Sequence, residues 1–547
     1  MTRGRPWRWL VLSIAVVTAG VLGTTSASAG SAATAASYGS TAKSLACVKG
    51  NLLCTEVQDY YHAFGHVYVG HDEPSVLYYS NVPGAGNQNQ WQVTLPKDPP
   101  PSVKPGRSWS FQLTPAFWFG MAMCDTQSYP EVTSQCTPDS DSNITPLAQH
   151  PGTAFMELQF YPPGWVKQFN SQSCDKRDWC AALTIDSLSE DPIHGTTLNS
   201  TCQNQILGGL EYVNFAFLTK SGTPVGPPNP LQFDPATSGN PTNKDVLFMH
   251  PGDRISVSMH DTSQGLQTML YDQSTHKTGS MTASAANGFG QIQYAPTGTS
   301  CTDIPSNFHP MYSTSSPQTR VPWAAHSYNV AFDEEIGHFD YCTAINANGN
   351  CTGLEGVPGD QEPADGDDAA CFPASDSLLV KVSGCNGTNV PGWDGVPYQP
   401  LWPDGNTKLH PTAELFTSPL TGPSFNKNYS TAAFESDTPR NEDPQFGGFG
   451  MCNRSTGQGC TIVPTTDDNQ PATFYPFFSI TSSHAPGGCQ WFIGNVVPGQ
   501  TANDFGGVSQ YGTLFPQEFL IFGGNGATHT VIDDFQNNLG TNPCPTR

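Results

Sequence analysis

Apolar and polar residues alternate with a period of two along much of this chain. Trp109, Phe111 and Leu113 alternate with Ser110 and Gln112; Met156, Leu158 and Phe160 alternate with Glu157 and Gln159; Ile255, Val257 and Met259 alternate with Ser256, Ser258 and His260. Such alternation puts apolar side chains on one face of a strand and polar ones on the other, and it does not fit the 3.6-residue repeat of an amphipathic helix. Long helical patterns are almost absent. Pro163-Gly164, Pro251-Gly252 and Gly252-Asp253 supply turn-forming dipeptides. The chain therefore reads as all-β and mainly antiparallel.

Its 16 cysteines, from Cys47 to Cys544, constrain it further. An even number in an oxidising compartment reads as a disulfide framework. Close spacing suggests Cys47–Cys54, Cys124–Cys136, Cys174–Cys180, Cys342–Cys351, Cys371–Cys385 and Cys452–Cys460, which leaves Cys202, Cys301, Cys489 and Cys544 for longer closures. No Cys-x-x-Cys occurs, so a zinc ribbon or redox dithiol is not expected. The compartment follows from the first residues. Arg3, Arg5 and Arg8 precede a mostly apolar run from Leu10 to Leu22, and Ser26-Ala27-Ser28-Ala29 has the small residues of a cleavage site. Residues 1–29 thus read as a secretory signal peptide, and the protein as secreted and extracellular.

The formal charge is −24, and losing the three leader arginines makes it more negative still. Such a surface repels phosphate backbones and anionic lipid, so neither nucleic acid nor membrane is an expected partner. After an Ala/Ser/Thr/Gly-rich segment at 30–45, successive strand patterns fill 46–345. An acidic, apolar-poor stretch at 346–370 reads as a linker or loop, and a second disulfide-stapled β-rich region follows at 371–547, with apolar runs at Phe474–Ile480, Trp491–Val497 and Phe515–Phe522.

Three resemblances follow from particular phrases. Gly70-His71-Asp72-Glu73-Pro74, Pro115-Ala116-Phe117-Trp118-Phe119-Gly120 and Ile336-Gly337-His338-Phe339 are similar to segments of a group of secreted proteins from actinobacteria and fungi, a likeness that carries no activity with it. Pro-Ala-Phe-Trp followed by a strand bearing Glu157 resembles the concanavalin-type β-sandwich glucanases of glycoside hydrolase family 16. That likeness implies a concanavalin-like or jelly-roll sandwich over 46–345 and a retaining hydrolase, which needs two carboxyl groups about 5 Å apart. Glu157 matches the first position of that family's catalytic strand, whereas Gln159 stands where a helper Asp is expected and Tyr161 or Pro162 where the acid is expected. Pro251-Gly252-Asp253-Arg254-Ile255 with Met259-His260-Asp261-Thr262 is similar to a segment of the acid glutamic peptidases, in which a Glu/Gln pair acts. Gln159 with Glu334 or Glu335 would be that pair here.

Glu157 is the leading catalytic candidate, because a charged group between large apolar neighbours is costly unless it faces a polar groove. The plainer reading is an exposed strand residue, or one paired with an arginine such as Arg254. Glu334 or Glu335 is the expected second carboxylate, and Trp118 and Trp165 are candidate sugar platforms. His326, Asp333, Glu334, Glu335 and His338 form the densest titratable cluster, which His309 could join in space. His71, His326 and His338 are the candidate metal ligands. His62 and His66 on one strand would lie about 13 Å apart, too far for one ion. No cofactor is required by this reading, although calcium at the acidic run Asp360–Asp368, or a transition metal at the histidines, is compatible with it. No His-Glu-x-x-His, Gly-x-Ser-x-Gly, phosphate-binding or dinucleotide motif is present. The expected function is action on, or binding to, an extracellular polysaccharide. An acid endopeptidase acting on protein substrates and a non-catalytic wall-associated protein are the alternatives.

Overall fold

The computed structural model describes residues 68–69, 75–80, 84–97, 109–112, 117–128, 136–140, 152–161, 163, 177–188, 190–191, 196–206, 211–234, 244–311, 330–334, 338–342, 354–357, 360–363, 396–397, 415–435, 440–441, 461–462, 478–481, 489–493, 501–505, 513–517, 531–535 and 542–544. Residues 1–67, with the expected signal segment and Cys47 and Cys54, and also His71, Trp165, His326 and Glu335 lie outside them.

Two antiparallel sheets dominate. The strands that build them are β1 (Ser75–Tyr79), β2 (Gln88–Thr94), β3 (Phe117–Asp125), β4 (Gly152–Tyr161), β5 (Cys180–Leu188), β6 (Glu211–Phe217), β7 (Arg254–Thr262), β8 (Gly265–Asp272), β9 (Lys277–Thr282), β10 (Val330–Glu334), β11 (Leu415–Thr417), β12 (Leu420–Thr421), β13 (Lys427–Asn428), β14 (Thr431–Glu435), β15 (Phe478–Thr481), β16 (Gln490–Ile493) and β17 (Thr501–Phe505). The first sheet has the order β6-β5-β4-β3-β10-β1-β14. The second runs β9-β8-β7-β2-β11-β16-β15-β17, with β12 pairing to β2 and β13 pairing to β12.

The sheets pack face to face through large rings. Trp91 of β2 meets Phe119 of β3 at 4.5 Å between ring centroids, Phe332 of β10 stacks on Phe416 of β11 at 4.2 Å, and Tyr78 of β1 meets Trp491 of β16 edge-on at 6.1 Å. Met156, Leu158 and Phe160 of β4 join Ile255, Val257 and Met259 of β7 in the same buried core. The alternations at 156–160 and 255–259 are thus inward faces of two packed sheets, whereas Trp109–Gln112 lies in a separate small sheet.

Strands β11 to β17 all follow residue 370, yet they do not form a sheet of their own. Strand β14 pairs with β1, and β11 pairs with β2, so the C-terminal part of the chain completes both sheets. Leu354–Val357 and Asp360–Pro363 pair as an antiparallel hairpin with only Pro358 and Gly359 between them, a turn-forming pair.

Local features explain several joints. His250-Pro251-Gly252-Asp253 closes a turn through a hydrogen bond from the Asp253 N–H to the His250 carbonyl (3.0 Å), and Gly252 adopts a φ of 88° that favours glycine. The short helix α1 (Ser200–Ile206) starts under the Asn199 side chain, which accepts from the Cys202 N–H. Among pairs with both cysteines described, disulfides join Cys124 to Cys136, one of the predicted local pairs, and Cys202 to Cys301 and Cys489 to Cys544, the four cysteines left for long closures. Among the described residues no cysteine is free, and no helix is long and apolar enough to cross a membrane.

Candidate active site

The face of the first sheet that points away from the sandwich core carries the most unusual chemistry in the described structure. Pleating sends Met156, Leu158 and Phe160 of β4 inward, and therefore Glu157, Gln159 and Tyr161 outward. Strand register then sets their neighbours. Glu157 lies between Gly120 of β3 and Thr184 of β5, and Gln159 lies between Trp118 and Ala182. One row further, Phe155 faces Ala122 on one side and Asp186 on the other.

This outer face is covered. Val225, Phe248 and Val246 pack on Tyr161, Ala182, Phe215 and Phe217, roofing its β5–β6 side. Strand β3, Phe-Trp-Phe-Gly-Met-Ala-Met-Cys-Asp, is buried along its whole length, as a strand enclosed on both faces must be. Trp118 is 5% exposed and meets Phe155 edge-on at 5.3 Å. In this conformation it acts as a wall rather than an open platform. Gly120 is required here: a Cβ would run into the rings of both Trp118 and Phe155.

Within that enclosure the polar groups bind one another. The Gln159 amide donates from Nε2 to Glu157 Oε2, its Oε1 accepts from the Tyr161 hydroxyl, and Thr184 Oγ1 donates to the same oxygen at 3.3 Å. Glu157 is 8% exposed. Burial disfavours its charged form and raises its pKa from 4.5 to about 7, against a smaller opposing effect of the Gln159 hydrogen bond. A carboxyl neutral at mildly acidic pH, beside a network of amide and hydroxyl groups, is suited to give up a proton.

The structure separates the plainer readings of Glu157 from what is seen. It is not an exposed strand residue, and Arg254 lies on β7 of the other sheet. The register places Glu334 opposite Phe117, in the row that also carries Phe160, so Glu334 is not a neighbour of Glu157. The adjacent Asp333 sits opposite Trp118, in the row of Gln159. Of the three histidines expected to bind metal, only His338 is described, and its strand His338–Cys342 pairs with Trp109–Gln112 and Val396–Pro397 in a separate small sheet. Asp186, 2% exposed and on the same outer face as Glu157, was not singled out from the sequence. The alternation Ala181, Leu183, Ile185 against Ala182, Thr184, Asp186 was the available signal, but only strand register brings it to Glu157.

Two further constellations lie on the second sheet. His309 pairs with Asp261: its Nδ1 lies 2.7 Å from Asp261 Oδ1, both side chains being buried. Asp261 Oδ2 also accepts from the Asp139 N–H (2.6 Å), and Asn87 donates to Asp139 Oδ1 (2.7 Å). This network ties the segments at 136–140 and 308–311 to strand β7. His250, Asp253 and Asp272 place one potential ligand atom each within 4.8 Å of one another, a grouping that could accept a divalent transition metal. Their carboxylates already serve the local turns, Asp253 accepting from the His250 N–H and Asp272 from the N–H groups of Ser274 and Thr275.

Comparison of the chain with family models, curated proteins and solved structures finds no match.

Proposed function

We propose that this protein is a secreted hydrolase acting on an extracellular polysaccharide, with Glu157 as its general acid. The observation that carries the reading is the carboxyl of Glu157, buried on the outer face of the first sheet and neutral up to about pH 7. Cleavage of a glycosidic bond requires a proton delivered to the departing oxygen, and a carboxyl whose pKa is raised by its surroundings is the usual source. Gln159 hydrogen-bonds the carboxyl and is itself held by the Tyr161 and Thr184 hydroxyls. The secretory leader and the disulfides support action outside the cell. The formal charge of −24 suits a neutral polymer better than a polyanion.

A second reading has its own support. The direct hydrogen bond between Gln159 and Glu157 makes a Glu/Gln pair on one strand, the residue types that the resemblance to acid glutamic peptidases implies. The raised pKa favours the first reading, since a carboxyl neutral at pH 3 is an acid and not a base there.

The test is product release from a panel of β-glucans and other wall polysaccharides at about pH 5.5, with the mature chain and Glu157→Gln side by side. Release by the parent protein that falls by about 10²-fold or more in the variant supports the proposal. Equal release from both removes Glu157 from the mechanism. No release from either, together with pepstatin-resistant cleavage of casein near pH 3, transfers the assignment to the peptidase.

A further inference from the structure

The second sheet carries a cluster of ligating side chains that the proposed reaction does not use. The turn His250-Pro251-Gly252-Asp253 leads into β7, and β8 ends at Asp272, which register sets opposite Ile255 at the same end of the sheet. One ligand atom each from His250, Asp253 and Asp272 lies within 4.8 Å of the other two.

We propose that His250, Asp253 and Asp272 form a binding site for one divalent transition metal ion of the zinc class, which clamps the start of β7 to the end of β8. Zinc holds imidazole nitrogen and carboxylate oxygen at about 2.0–2.2 Å, so ligand atoms around it stand about 3.4 Å apart in a tetrahedron. His250 Nδ1 and Asp253 Oδ2 are 3.1 Å apart, and the other separations, 4.8 Å at most, reach that value by side-chain shifts of about 1–1.5 Å. One imidazole with two carboxylates suits zinc or its neighbours, whereas calcium takes six to eight oxygens.

Charge and hydrogen bonding support the assignment. Asp272 is fully buried and Asp253 is 7% exposed. Two buried carboxylates this close are costly without a cation or hydrogen bonds to hold them. Among the described residues neither has a lysine or arginine partner: Lys277, opposite Asp272 in register, is exposed and makes no ion pair with it. The hydrogen bonds that the carboxylates do accept aim them and leave room for an ion. Asp272 Oδ1 accepts from the Ser274 and Thr275 N–H groups and Oδ2 from the Thr275 hydroxyl, which leaves one lone pair on Oδ2. Asp253 Oδ2 accepts from the His250 N–H, and its Oδ1 accepts from no described donor.

The backbone holds the turn ready. The Gly252 N–H donates to the Leu95 carbonyl at 3.0 Å, the Leu95 N–H donates to the Asp253 carbonyl at 2.9 Å, and Met249 exchanges both backbone hydrogen bonds with Trp179. The His250 side chain is 58% exposed, so the ion has a path from solvent. Its Nε2 faces Asp178 Oδ1 at 3.9 Å, the side on which a carboxylate orients a metal-binding histidine. The site lies on the other sheet from Glu157, and it stands or falls independently of the hydrolase reading.

The experiment titrates zinc into the full mature chain, prepared without a histidine tag and stripped with chelator, by calorimetry and by thermal melting. The parent protein is compared with His250→Ala, whose ring is mostly exposed, and with Asp253→Asn, which keeps an acceptor for the His250 N–H. One zinc per chain, a rise in Tm of at least about 2 °C at saturation, and affinity weakened tenfold or more in both variants are the expected results. The chain has 14 histidines, and zinc held by others persists in both variants. No zinc binding by the parent, or binding of equal affinity in His250→Ala, overturns the proposal. Calcium that gives the same rise in Tm overturns it as well, since an oxygen-only site would then not need His250. Should Asp253→Asn fail to fold, His250→Ala still decides the point.

Discussion

Replacing Glu157 by Gln changes the pH dependence of stability by an amount that follows from its burial. In the folded protein the carboxyl has a pKa of about 7, against 4.5 as its ordinary value. Between those two pH values the unfolded chain has released its proton while the folded chain still holds it. The folded state therefore binds more protons, and unfolding free energy falls as pH rises through this window. The favourable condition lies below pH 4.5, where both states are neutral, and the penalty is complete above pH 7. At about 1.4 kcal/mol per pH unit, the shift corresponds to about 3 kcal/mol. Glutamine has nearly the same shape, still meets Gln159, and does not titrate. Chemical denaturation with the disulfides intact, run on both proteins at pH 4 and pH 8, isolates the effect because every other titrating group is common to both. The stability of Glu157→Gln relative to the parent should improve by about 3 kcal/mol between the two pH values. A difference independent of pH would refute the claim that Glu157 is buried and neutral, and a difference that grows in favour of the parent would reverse its sign.

Other predictions concern the walls and the staples of the fold. Gly120→Ala drives a Cβ into the rings of Trp118 and Phe155, so it should lower the denaturation midpoint by the equivalent of about 1–3 kcal/mol with an unchanged slope; an unaltered midpoint would show that this face is loosely packed. Removing the disulfide between Cys202 and Cys301, which spans 99 residues, by replacing both with serine should cost about 4 kcal/mol, read by the same method. A change below about 1 kcal/mol would mean that the unfolded chain is already constrained there.

Much of the sandwich was legible in the sequence because its inward faces are written locally. Met156, Leu158 and Phe160 give strand β4, Ile255, Val257 and Met259 give β7, and Pro251-Gly252 gives the turn before it. What local pattern does not encode is which strands pair. Strands β14 and β1 are joined by hydrogen bonds across more than 300 residues of chain, and nothing in Thr431–Glu435 announces Ser75–Tyr79 as its partner. The acidic stretch at 346–370 reads as a linker or loop, and strands on either side of it pair with one another, which shows why composition is a weak guide to sheet membership. The same limit applied to the site. The contact between Glu157 and Gln159 follows from their spacing of two on one strand, but the placing of Asp186 beside them depends on the register of β5. The outer face also draws cover from a different part of the chain, where Val225, Val246 and Phe248 pack on its β5–β6 side. The unbroken apolar run Phe117–Cys124 was the one local sign that this face is enclosed.

The most direct measurement of the account is the pH profile of kcat/KM for polysaccharide cleavage between pH 4 and pH 9, which reports the free enzyme's essential acid. Activity should fall about tenfold per pH unit above roughly pH 7, as Glu157 loses its proton, with Glu157→Gln inactive throughout. An alkaline limb centred near 4.5, or a profile still high at pH 9, would contradict it.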